Sequence, residues 1–163
     1  MKQLVGSLVL VAALCAGAAI NAQQGGTDAE SSSTEGAEIV FRHALDGKPL
    51  DMNFRPDQQI TPAVEEFHRT AENPYSGDEQ AIAKGKPLYE RLCAACHLRD
   101  GTGRIGPNLV DDHVKYPQVA TDKGMFEVIY GGAAGAMQAF GRRIDQDQIL
   151  KVMAYLETLG ASD

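Results

Sequence analysis

The sequence predicts an all-α domain over residues 76–163, and three observations carry that expectation. Apolar residues recur at helical spacing from Ile82 to Leu92, the last segment carries helix start and stop signals, and the intervening stretches hold the glycines and prolines of loops. Strand character is confined to Glu38-Ile39-Val40-Phe41, upstream of that domain.

Taken in order, the chain opens on an export segment. Lys2 supplies a short positive region, Leu4 to Ala19 an apolar run and Ile20-Asn21-Ala22 a small-residue cleavage site, so residues 1–22 are expected to be a signal peptide cut after Ala22. Cys15 leaves with it, and the mature chain keeps Cys93 and Cys96, as suits a protein of an oxidising compartment such as the periplasm. Residues 23–37 run through Gln, Gly, Ser, Thr and acidic residues with nothing to bury and are expected to form a disordered leader.

Residues 38–75 are too short for a domain and are expected to pack on the helical domain as an N-terminal extension. Asp46-Gly47 predicts a tight turn or small hairpin after the 38–41 run. Thr61-Pro62 reads as N-cap and first position of a short helix, with Glu65 and Glu66 near its positive end and Asn73-Pro74 closing it. The next helix is expected to start from a Ser76/Glu79 capping box, with Ile82, Gly85, Tyr89 and Leu92 on one face. Gly85 inside a helix costs up to about 1 kcal/mol relative to alanine, which predicts close backbone approach by another element. A further helix is expected from about Thr121 to Tyr130, stopped by Gly131-Gly132. The last helix has a capping box of Asp145 and Gln148, a staple of Ile144 and Ile149, and an apolar face of Ile149, Val152, Met153, Leu156 and Leu159 before Gly160. Tyr155 is expected to meet Gly85, crossing the first and last helices of the domain.

Chemistry concentrates in Cys93-Ala94-Ala95-Cys96-His97, the Cys-x-x-Cys-His signature of covalent haem attachment. Residues three apart share a helix face, so both sulfurs can reach one edge of a porphyrin while His97 approaches the iron. A thioredoxin-like pair would need a βαβ surround, and a structural zinc site two further ligands; the sequence offers neither. In the glycine-rich loop Arg99 to Leu109, the carbonyl of Pro107 is the candidate acceptor for the second N–H of His97. Met137 lies among small residues in Ala133 to Gly141, free to bring a thioether to the other haem face, and is the candidate sixth ligand. Met125 and Met153 sit in helical patterns as core residues, His43 and His68 belong to the extension as structural or solvated histidines, and His113 in a polar run reads as exposed.

The formal charge is −7, from 22 acidic against 15 basic residues. That disfavours nucleic acid as a partner and suits either solubility or steering toward a basic protein surface.

Together these residues resemble the class I cytochrome c family over about residues 76–160. The resemblance rests on Gly85 and Tyr89 ahead of Cys-x-x-Cys-His, on Gly106-Pro107-Asn108-Leu109, on Met137 followed by Phe140, and on the terminal helix with Tyr155. It is narrower toward the cytochrome cL group, the electron acceptors of methanol dehydrogenase in methylotrophic bacteria. The residues behind the narrower likeness are Ala44 to Leu50, Glu72-Asn73-Pro74-Tyr75, Met125 to Ala133 and Gly135 to Gly141, where Gln138 stands in place of the proline usual after the ligand methionine. Two departures, the missing cysteine pair for a disulfide and the compact length, point toward the variant serving the lanthanide-dependent enzyme.

The resemblance implies a monomeric periplasmic carrier of single electrons, not an enzyme, with one haem c held by Cys93, Cys96, His97 and Met137. Its implied donor is a quinoprotein (PQQ) methanol or alcohol dehydrogenase, and its acceptor another cytochrome c or an oxidase, with no membrane contact after signal cleavage. A calcium ion is left open, with no ligands assigned. The alternatives are a class I cytochrome serving another dehydrogenase, a haem sensor or enzyme if Met137 does not ligate, and a haem-free thiol oxidoreductase.

Overall fold

The computed structural model describes residues 38–111 and 115–160. The expected signal peptide and leader, Cys15 and His113 lie outside them. Among the described residues five α-helices succeed one another: α1 Pro62–Thr70, α2 Glu79–Leu92, α3 Ala94–His97, α4 Asp122–Gly131 and α5 Gln146–Gly160, with a 3-10 turn at Pro117–Ala120. The fold is all-α, and among the described residues β pairing amounts to one antiparallel bridge between Arg42 and Pro49.

That bridge is what the expected hairpin becomes. The amide of Leu50 donates to the Phe41 carbonyl (2.9 Å) and that of His43 to the Lys48 carbonyl (2.8 Å), with Gly47 at φ +68° making the reversal. The Gly47 amide adds a third backbone bond to the His43 carbonyl (3.0 Å), while Phe41 and Leu50 are buried on the turn's inner side. Thr61 caps α1 by accepting from the Val64 amide (3.4 Å), with Pro62 in the first turn. α1 ends before Asn73-Pro74: Ala71 turns left-handed at φ 59° and its amide closes on the Phe67 carbonyl (2.8 Å). Asn73 is thereby free for other work, its side chain donating to the Leu150 carbonyl (3.0 Å) and its backbone amide to Asp122 (2.7 Å).

The start of α2 also differs from expectation. Asp78, not Ser76, is the cap, its carboxylate accepting from the Ala81 amide (2.8 Å). A carboxylate offers the positive helix end a full charge where a hydroxyl offers only a dipole. Ser76 instead donates to Glu157 on α5 (2.8 Å). α2 then continues through Pro87 to Leu92.

α2 and α5 cross at Gly85. A methyl group there would lie 1.9 Å from the Lys151 carbonyl oxygen and 3.2 Å from Tyr155 Cβ, so the expected contact with Tyr155 exists but the backbone of Lys151 comes nearer still. Beside the crossing the rings of Tyr89 and Tyr155 stand 5.4 Å apart and, with Leu88 and Val152, make a small core. The larger core gathers Phe41 and Leu50 from the extension, Val64 and Phe67 of α1, Phe126 and Ile129 of α4, Phe140 and Ile144, and Ile149, Leu150 and Met153 of α5. Each fully buried side chain among these contributes roughly 1.5–3 kcal/mol. Leu156 borders both cores, so α5 is their shared wall.

At the start of α5 one half of the expected capping box forms, the Asp145 amide donating to Gln148 Oε1 (3.0 Å). The other half is replaced, because the Asp145 carboxylate pairs with the guanidinium of Arg55, a stronger donor than a helix amide.

Candidate functional site

α2 delivers Cys93 at its C-terminus, where the amide still bonds back to the Tyr89 carbonyl (2.8 Å). The amides of Cys96 (3.0 Å) and His97 (2.9 Å) both turn onto the Cys93 carbonyl, which winds Cys93 to His97 into a single turn. Both cysteines are free thiols and half-buried, and His97 is buried.

The loop after α3 folds back on it. The Cys96 carbonyl faces the amides of Arg104 (3.1 Å), Ile105 (3.2 Å) and Gly106 (3.0 Å), and the His97 carbonyl accepts from Gly103 (3.0 Å). This fold-back carries the Pro107 carbonyl to 2.9 Å from His97 Nδ1, the contact expected from sequence. Accepting the hydrogen bond from Nδ1–H fixes the imidazole in the tautomer whose Nε2 lone pair is free to bind a metal. Gly106 lies flat against the same ring: a methyl group there would be 2.5 Å from Cε1 and 2.8 Å from Nε2.

Leu98, directly after the histidine, holds φ 63° without being glycine. Such a backbone costs on the order of 1 kcal/mol and persists where its surroundings impose it. Here the Tyr89 hydroxyl donates to the Leu98 carbonyl (2.8 Å). Burial, with Cys93 and Tyr155 adding to it, pushes that phenol far above its ordinary value, so the hydroxyl stays a donor at any physiological pH.

Met137 stands on another element and another core. α4 ends at Gly132, with φ +79°, and the chain loops out and returns to a neck where the Phe140 amide donates to Ile129 (3.0 Å) and that of Gly141 to Tyr130 (3.1 Å). Inside the loop the Ala133 amide bonds to the Met137 carbonyl (3.0 Å), and the Ala134 amide to the Tyr116 hydroxyl (3.1 Å). The Met137 side chain is half-buried against the larger core, while Cys93 packs against the smaller one. Met153 is fully buried and Met125 packs against the same core, as expected of core methionines.

The extension histidines are structural. His68 Nε2 lies 2.6 Å from Gln146 Oε1 and its ring stacks on Phe54 (5.6 Å), while His43 sits beside Gly131. Sequence reasoning missed the strained Leu98 and also Arg55, whose guanidinium reaches the carbonyls of Gly141 (3.3 Å) and Ile144 (3.4 Å) as well as Asp145. A lone arginine in a polar stretch carries no signal of partners some ninety positions away.

Thiol chemistry fits the site poorly. Burial, with the neighbouring Cys96, pushes the Cys93 thiol up to about 11, whereas thiol–disulfide enzymes need a depressed thiol pKa. Among the described residues no group of three or more His, Cys, Asp or Glu is placed to hold a metal ion.

The family model described as cytochrome C oxidase, cbb3-type, subunit III matches residues 80–156. Cytochrome c-L of Methylorubrum extorquens is 34% identical over 122 residues, 74% of this chain and 62% of that protein. The crystal structure of cytochrome cL from the marine methylotrophic bacterium Methylophaga aminisulfidivorans superposes with a TM-score of 0.72 at 41% identity, over 74% of this chain and 80% of that one. The chain belongs to the cytochrome cL family. Cytochrome cL from Hyphomicrobium denitrificans is similar at TM-score 0.71 and 37% identity, over 74% of this chain and 73% of that one. The chain spans 62% of the length of the curated cytochrome c-L it matches. Cytochromes cL are class I c-type cytochromes, electron-transfer proteins rather than enzymes, and family membership implies a covalently bound haem c. The donor set suits that group: two thiols on one turn, and an imidazole whose Nδ1 is already engaged and whose face is kept clear by a glycine.

Proposed function

We propose that this cytochrome cL is a periplasmic carrier of single electrons, accepting them from a PQQ-dependent methanol dehydrogenase and passing them to another cytochrome c or an oxidase. The observation that carries the reading is the His97–Pro107 hydrogen bond directly beside two free cysteines on one turn. In it Cys93 and Cys96 would hold the haem through thioether bonds, and His97 Nε2 and Met137 Sδ would be the chain's two donors to its iron. When bound, the haem supplies an iron that cycles between ferric and ferrous states. Pro107 would keep the His97 ring in one tautomer and one orientation toward the iron. Met137, a neutral and soft donor, favours the ferrous form. With His97 and Met137 both donating to the iron, the chain would leave no place there for substrate or oxygen, which suits electron transfer rather than catalysis.

The donor assignment is supported by the likeness to cytochromes cL of methylotrophs and by the charge of −7, which steers toward a basic surface and weakens as salt rises. Mixing the purified protein with reduced methanol dehydrogenase and following haem absorbance tests it. Reduction that slows with added salt is expected; no reduction at any ionic strength would remove this donor. On the chain itself, Met137→Ala is expected to open the iron to carbon monoxide in the native reduced protein, where the parent does not bind it.

A further inference from the structure

The neck of the Met137 loop is held from outside by the N-terminal extension at both of its ends. Where the chain leaves α4, Leu50 Cδ2 and His43 Nδ1 press on Gly131, standing 2.8 and 3.0 Å from where a methyl group would be. On the residue before it the Tyr130 hydroxyl donates to the Asp51 carbonyl (2.8 Å), and its ring lies flat over Gly141, 2.6 Å from a methyl group placed there. Where the chain returns, Arg55 donates to the carbonyls of Gly141 (3.3 Å) and Ile144 (3.4 Å) and pairs with Asp145. The loop between these anchors is small and glycine-rich, with Ala133, Ala134, Gly135 and Ala136 ahead of Met137. Inside it the Ala133–Met137 and Ala134–Tyr116 bonds and the packing of Met137 on the larger core give a modest hold, and the anchors at its ends add to that hold against opening.

We infer that Arg55 is a positioning residue for the Met137 thioether: by fastening the return of the loop to the extension, it sets how often Met137 leaves the iron. The inference rests on Met137 being the sixth ligand. An open loop is the only state in which an outside ligand reaches the iron, so the apparent affinity for such a ligand measures the open fraction. Removing charge-assisted bonds at the neck raises that fraction by roughly tenfold or more. The same loosening lowers the reduction potential, because the thioether stabilises ferrous iron only while it is bound.

The test uses purified holo-protein and imidazole as the probe, comparing the parent chain with Arg55→Met, Arg55→Lys, Leu50→Ala, Met137→Ala and Thr61→Ala. Thr61→Ala removes the cap of α1 and the bond to Asp147, makes no contact with the loop, and so serves as the stability control. Arg55→Met is expected to bind imidazole roughly tenfold or more tightly, to lose part of the methionine-to-ferric-iron absorption band and to show a lowered potential. Arg55→Lys, which keeps the charge opposite Asp145 but not the fork onto the two carbonyls, should fall between parent and Arg55→Met. Should Arg55→Met fail to assemble, Arg55→Lys and Leu50→Ala carry the comparison with the same expected direction. The inference is overturned if the Arg55 and Leu50 variants bind imidazole like the parent, or if Thr61→Ala shifts binding as much as they do. A parent protein that lacks the methionine band and binds imidazole as tightly as Met137→Ala would overturn the ligand assignment itself, and this inference with it.

Discussion

At the α2–α5 crossing, backbone meets backbone: the Lys151 carbonyl occupies the space a side chain on Gly85 would need, and Tyr89 and Tyr155 close the gap beside it. Around the Met137 loop the joining is done by side chains and carbonyls of the extension, with Arg55 bonding the loop's return and the Asp51 carbonyl accepting from Tyr130. The first kind of contact tolerates almost no change in shape, because close-packed backbone cannot move aside without moving both helices. The second distributes its hold over several hydrogen bonds, each of modest net worth. The cysteine–histidine turn is attached to the rigid region and Met137 to the adjustable one, so one candidate ligand is fixed in place and the other can be tuned.

Four substitutions test that contrast, beginning with the largest effect. Gly85→Val places branched carbon against the Lys151 carbonyl and should cost more than about 4 kcal/mol, seen as loss of a cooperative melt and of assembled haem protein. A variant melting like the parent would mean that the helices can separate, and the rigid half of the contrast would go. Phe67→Ala empties a fully buried position of the larger core, at about 3–5 kcal/mol. Hydrogen exchange should then show amides of residues 41–50 and 140–144 losing protection before those of α2; uniform loss would show the two regions to be one cooperative unit.

Asp147 ties the regions together, accepting from Thr61 (3.0 Å) and Tyr75 (2.7 Å) and pairing with Lys151. Burial works to raise its carboxyl, but the hydrogen bonds from Lys151, Tyr75 and Thr61 outweigh that and hold it below the usual carboxylate value. A depressed pKa stabilises the fold above the unfolded value of about 3.9, and the contribution fades as pH falls through the lower folded value. Asp147→Asn should therefore cost about 1–3 kcal/mol near neutral pH, with the gap to the parent closing in acid below about pH 4. A gap that stays constant into acid would show that packing, not charge, is what Asp147 supplies. Tyr89→Phe keeps the ring packing and removes only the bond to the Leu98 carbonyl, for about 0.5–1.5 kcal/mol in a denaturant melt. Its exchange signature should be confined to the loop after His97, leaving the Met137 neck protected.

The regions also differ in how far they could be read in advance. Gly85 announced a close crossing because a glycine inside a helix is costly unless something needs the space, and Pro107 was legible as the candidate partner of His97 because a glycine-rich loop after the histidine leaves backbone carbonyls to meet its second N–H. The Ser76 cap went astray because a serine and an aspartate two residues apart both make good caps, and only the turn at Gly77 chooses Asp78. Of the tight turn or small hairpin expected around Asp46-Gly47, the turn forms with a single bridge, since residues 38–50 satisfy their apolar side chains against Val64, Phe67 and Phe126 rather than against a second strand. Arg55 was invisible, as its partners at Gly141, Ile144 and Asp145 are specified only once α4 and α5 have docked.

What the sequence determined by itself is what local chemistry determines: the five-residue attachment turn, the apolar faces of α2 and α5, the stop at Gly132, and Met137 as the methionine in a small-residue loop. Propensity, capping and side-chain spacing act over a few residues, and those features need no more. Tertiary structure decided which backbone Gly85 would meet, why Leu98 takes a left-handed conformation, and how the extension grips the Met137 loop. These depend on carbonyls and side chains brought together from distant parts of the chain, where burial makes each missing partner costly and so selects one arrangement.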